Sequence, residues 1–192
     1  MVDLDLSRTV KGVDALLRAR QRIEEFTDDR DCVLRVSLGK SGRAVTLSDG
    51  AHVAPDDMIL RLHLWNEHLP IMPENGPNAA WAASFATRMR HSLALIAARL
   101  DRDPRLADIA AAQGAPAFPW RLGASQMSRI AAHFGFDAFE HESGAVHAFL
   151  DSILLRGLVR AFNPAGQRGR GVLYRRCDVW ISRAKLLSRY GD

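Results

Sequence analysis

The segment Leu62-His63-Leu64-Trp65-Asn66-Glu67-His68-Leu69-Pro70 brings two imidazoles, a carboxylate, an amide and an indole onto one short stretch. Side chains of an extended chain alternate between faces, so Arg61, His63, Trp65 and Glu67 would share one side if the strand continued. His63 beside Glu67 would then make an acid/base pair, the carboxylate raising the imidazole pKa towards neutrality. Trp65, Asn66 and His68 would contribute ligand-binding groups at the strand's exit, where α/β proteins commonly hold ligands. A metal site would need a third ligand from elsewhere, and His63 and His68 are not at an established metal spacing, so no metal is assigned. The plainer alternative makes His63 and Trp65 half-buried sheet residues and lets Asn66 shape a turn.

A second stretch, Phe162-Asn163-Pro164-Ala165-Gly166-Gln167-Arg168-Gly169-Arg170-Gly171, alternates glycine with arginine. Glycines let backbone N–H groups approach an anion, and Arg168 and Arg170 would add forked donors. The stretch lacks the Lys-Ser/Thr and the following helix of a nucleotide P-loop, which excludes that reading. A solvated loop is the alternative. His133, His141 and His147 fall on three different expected elements and read as surface histidines.

The charge points the same way. The chain of 192 residues carries 26 basic against 22 acidic residues, a formal net charge of +4. Only Lys11, Lys40 and Lys185 are lysines; arginine richness of this kind also arises from genome composition. From Arg156 onward the basic residues Arg156, Arg160, Arg168, Arg170, Arg175, Arg176, Arg183, Lys185 and Arg189 meet only Asp178 and Asp192. Such single-sign patterning favours an anionic small molecule or an anionic membrane surface as partner. Nucleic acid is the weaker expectation, because aromatics make up only 7% and no zinc-finger or RNA-recognition signature occurs. The acidic first residues, the absence of a long apolar run and two distant cysteines, Cys32 and Cys177, suit a cytoplasmic protein, or one peripheral to the inner face of the membrane.

The positioning elements follow from periodicity. Residues 8–26 carry an interrupted helical stripe. Residues 32–38 alternate as a strand with Leu34, Val36 and Leu38 on one face, and 43–47 read as its hairpin return after a Gly39–Gly42 turn. Met58 to Trp65 is the clearest strand. Asn78 caps a helix to about Leu100, with Trp81, Phe85, Met89, Leu93, Ile96 and Leu100 on its apolar face. Asp103-Pro104 starts another helix that Gly114 stops. Ala117 to Gly123 reads as a strand that Pro119 confines to an edge or bulge. Ser125 caps a short helix ended by Gly135, residues 137–142 form a strand, and residues 145–162 form an apolar helix. A strand around Val179-Trp180-Ile181 precedes a helix capped by Ser182. The expected architecture is α/β or α+β, a single domain of residues 1–192 with a mixed sheet flanked by helices. Residues 1–50 supply the first helix and hairpin.

Three segments in order, Leu62 to Pro70, Phe162 to Gly166 with the arginines after it, and Asp178 to Tyr190 (DVWISRAKLLSRY), resemble the YkoP-like domain proteins of bacteria. The similarity spans roughly residues 58–190. It implies an association with cell-envelope polysaccharide enzymes, beside or fused to polysaccharide deacetylase-like proteins, and it carries over no catalytic residues and no cofactor.

The reading is therefore an anionic-ligand-binding or accessory module in cell-envelope glycan or lipid metabolism. The alternatives are a small enzyme acting on a phosphorylated sugar or lipid, with Glu67 and His63 moving protons, and a nucleic-acid-binding protein. Whether the chain is an enzyme, its cofactor and its oligomeric state stay open at this level.

Overall fold

A computed structural model describes residues 23–73, 77–119, 124–140 and 174–191. Its strands are β1 (Leu34–Lys40), β2 (Val45–Thr46), β3 (His52–Val53), β4 (Met58–Leu64), β5 (Ala111–Gly114), β6 (Ala117–Pro119), β7 (Asp137–Glu140) and β8 (Tyr174–Ser182). Its helices are α1 (Ala79–Arg102), α2 (Ala124–His133) and α3 (Arg183–Tyr190). Six strands build one mixed sheet, so the fold is α+β. β1 lies antiparallel to β4, β4 parallel to β5, and β5 antiparallel to β8. The register along β8 runs unbroken from Ala111↔Ser182 to Pro119↔Tyr174, so β6 continues the track of β5. β7 takes the other edge of β8. Pro119 falls beyond the stretch that β4 covers, a position where its missing N–H costs no ladder bond.

Alternation sorts the side chains into two cores. Leu34, Val36, Leu60, Ala112 and Ile181 pack with Leu93, Ile96, Ala97 and Leu100 of α1, Phe134 after α2 and Leu186 of α3. On the opposite face Ile59, Ala111 and Trp180 pack with Val45, Leu47 and Val53 of the β2–β3 hairpin. Asn78 caps α1 as its position predicts, Oδ1 accepting from the Trp81 N–H at 2.9 Å. Ser182 caps α3, accepting from the Lys185 N–H at 2.9 Å. α2 ends in a Schellman turn: the Phe136 N–H donates to the Ala131 carbonyl and the Gly135 N–H to that of Ala132. Gly135 takes the φ of +84° that this turn requires.

Several sequence expectations are corrected. Residues 23–26 are not helical; Glu24 pairs with Val36, its N–H donating to the Val36 carbonyl at 2.7 Å. β2 does not return along β1 but pairs with β3; β1 has β4 on one edge and the Glu24 bridge at Val36 on the other. After Asp103-Pro104 the chain makes one 3-10 turn, Pro104–Leu106, and then enters β5 rather than a helix. Ser125 lies inside α2 instead of capping it. The apolar face of α1 is buried at Leu93, Ile96 and Leu100, whereas Trp81 and Phe85 stay half-buried and stacked on each other at 5.3 Å. Residues 8–22 of the expected first helix, the expected helix 145–162, the glycine/arginine stretch with Arg168 and Arg170, and His141 and His147 lie outside the described residues.

Candidate functional site

β4 ends at Leu64, and Asn66–His68 form a 3-10 turn. Strand alternation therefore stops before Glu67, and the turn decides where its carboxylate goes. It goes to Arg35 of β1, whose Nη2 lies 3.3 Å from Glu67 Oε2 and 3.0 Å from Glu25 Oε1. The Arg35 side chain is 6% exposed, against 41% for Glu67. Burying a guanidinium is tolerable only with such partners. Its carbon Cζ also lies 4.6 Å from the centre of the Trp65 ring.

His63 sits opposite Arg35 in the β1–β4 register. Its Nε2 is 2.9 Å from the hydroxyl of Ser37, itself buried. Burial first, and then the charges of Arg61 and Arg35, push the His63 pKa down to about 4. This is the reverse of the rise that a neighbouring carboxylate would cause. The imidazole is neutral at pH 7, and its hydrogen-bond partner is Ser37 rather than Glu67.

Trp65 is buried and stacks on His68, ring centres 3.7 Å apart. His68 Nδ1 is bonded to the Cys32 carbonyl at 2.8 Å, which places the proton on Nδ1. Arg88 of α1 donates to the His68 carbonyl at 2.8 Å, tying the turn to the helix. Asn66 is half-buried in the turn. Beside these residues lies an open depression of about 510 Å³, with Glu25, Asp28, Arg30, Trp65 and His68 among its walls. Trp65 and His68 thus border one cavity, while Glu67 and His63 are engaged by different partners. Among the described residues no group of three or more His, Cys, Asp or Glu is placed to hold a metal ion. No described helix is long and apolar enough to cross a membrane.

The residues that organise this region and that the motif alone misses are Arg35, Ser37 and Glu25. The available signal is the alternation of β1, which puts Arg35 and Ser37 on the face opposite Leu34 and Val36. No curated protein and no solved structure matches the chain. The YkoP domain family matches residues 6–190, including the N-terminal part that the three motifs left outside. The chain belongs to the YkoP domain family.

Proposed function

We propose that this YkoP domain is a binding module for an anionic ligand, an accessory in envelope glycan or lipid metabolism rather than a catalyst. The observation that carries the choice of module over enzyme is the separate engagement of the two candidate catalytic groups. Glu67 is held by Arg35, and His63 is held neutral against Ser37. A base that must ionise near pH 4 has little driving force to take a proton at neutrality. The net charge of +4 supports an anionic ligand; the envelope setting rests on the family resemblance alone.

The test is retention on heparin and on phosphatidylglycerol vesicles, with phosphatidylcholine vesicles as control. Salt-sensitive retention of the wild type is expected, with earlier elution of the Arg168→Ala/Arg170→Ala variant. A wild-type protein that passes both matrices at low salt would overturn the reading.

The enzyme alternative draws on one observation: the Glu67 carboxylate remains 41% exposed. Turnover of a sugar phosphate that disappears in Glu67→Gln would favour it.

A further inference from the structure

α1 packs against α3, and between them runs an open groove of about 490 Å³ lined by Arg90, His91, Ala94, Arg189, Tyr190 and Gly191. Its arginines come from separate elements: Arg90 from the middle of α1, Arg189 from the last turn of α3. His133, the last residue of α2, links the two arginines. Arg90 Nη2 lies against His133 Nε2, and Arg189 Nη2 donates to the His133 carbonyl at 2.8 Å. Among the described residues no carboxylate pairs with Arg90 or Arg189. The nearby acid, Asp29, is taken up by His91, Nε2 to Oδ2 at 2.7 Å.

The arrangement is held in place. A side chain at Gly135 would bring its Cβ within 3.0 Å of Arg189 Cδ, so the glycine provides the space in which the arginine stem lies. The Tyr190 hydroxyl donates to the Phe134 carbonyl at 3.0 Å, fixing the last turn of α3 on the end of α2. Arg90 Cζ lies 5.8 Å from the Phe134 ring. Capping the carbonyl of His133 explains one donor of Arg189. It does not explain why a second guanidinium, from α1, converges on the same histidine without a counter-ion among the described residues.

We propose that this groove is a phosphomonoester site in which the guanidinium groups of Arg90 and Arg189 fork onto the phosphoryl oxygens. This rests on the anion-binding reading and gives it a place and a ligand class. A guanidinium carries five N–H donors in a planar fork, so each arginine retains donors after its contact with His133. Forked charge-assisted bonds suit a tetrahedral oxyanion. The groove is larger than a phosphate needs, and Ala94 and Tyr190 would face the rest of the ligand. A soluble sugar or glycerol phosphate and the phosphate of a lipid headgroup share this chemistry.

The experiment has two arms on the full chain. In the first, glycerol 3-phosphate is titrated while the arginine Nε–H signals and the Gly191 amide are followed by NMR. In the second, retention on phosphatidylcholine vesicles doped with phosphatidic acid is compared with undoped vesicles. Shifts at Arg90, Arg189 and Gly191 in the first arm identify a soluble ligand. Retention in the second arm alone identifies a headgroup. In either case Arg90→Gln or Arg189→Gln should weaken binding about tenfold to a hundredfold. Arg189→Gln also gives up the bond to the His133 carbonyl, whereas Arg90→Gln leaves that cap in place. An unchanged melting temperature separates lost binding from lost fold. Two results overturn the inference: variants that bind as the wild type does, or no shift at the groove in the first arm together with no retention in the second. If heparin or phosphatidylglycerol vesicles still retain the wild type, only this site is lost; if both fail too, the functional reading falls with it.

Discussion

Arg35 and Glu67 meet at 3.3 Å although 32 positions separate them, and Glu25 closes on the same guanidinium at 3.0 Å. The arginine is the buried member, and both carboxylates are about half exposed. Removing one acid therefore leaves the cation still paired. Glu67→Gln should cost only about 0.5–1 kcal/mol of stability. Arg35→Met releases two carboxylates that can turn to water, and loses the guanidinium's contact with Trp65, for a cost of about 1–3 kcal/mol. Urea unfolding of the two variants checks the ranking; a larger loss for Glu67→Gln would contradict it.

The neutral His63 gives a signed pH dependence. Its pKa is about 4 in the fold and near 6.5 unfolded, so between these values the unfolded chain binds more protons. Stability from this residue is fully present above pH 6.5 and falls as pH drops through the window, levelling off below about 4. The loss should be roughly 3 kcal/mol by pH 4. Urea midpoints measured from pH 7 to 4 for wild type and His63→Gln should converge towards acid pH, since glutamine cannot titrate there.

Gly135 carries a φ of +84° and the contact with the stem of Arg189. Gly135→Ala should cost about 1–2 kcal/mol, from the left-handed backbone and the displaced arginine. A fall of several degrees in melting temperature is the expected readout; an unchanged value would place this turn in another conformation.

The two halves of α1 should respond differently to truncation. Leu93 is fully buried, so Leu93→Ala should cost about 3–5 kcal/mol. Phe85 is half-buried against Trp81, and Phe85→Ala should cost only about 1–2 kcal/mol. Thermal melts of the pair check the gradient along the helix.

Local signals made parts of this fold legible in sequence: the alternation of Met58 to Leu64, the Asn78 and Ser182 caps, and the glycine after α2. Features decided by distant partners were not. Ala111-Ala112-Gln113-Gly114 has weak strand propensity, and it becomes a strand because β4 and β8 take both its edges. The pairing of β1 with β4, across the intervening β2–β3 hairpin, is likewise non-local. At the candidate site, the clustering of His63, Trp65, Glu67 and His68 was visible. Their partners were not, since Arg35, Ser37 and Cys32 come from β1 and the residues just before it. The convergence of Arg90, His133 and Arg189 has no local signature, being made by three helices that meet only in the folded chain.

β8 also has a temporal consequence. β6 and β7 pair with β8 alone among the described strands, and β5 needs it for its second edge. While the ribosome is still translating residues 174–182, those three strands have been made but wait for the partner that joins them. β1 and β4 can pair early, but the sheet closes only after β8 has left the exit tunnel. Non-local pairing of this kind slows folding, and the incomplete sheet offers open strand edges during synthesis. Until β8 arrives, the edges it will cover on β5, β6 and β7 are open to pairing with the wrong strand.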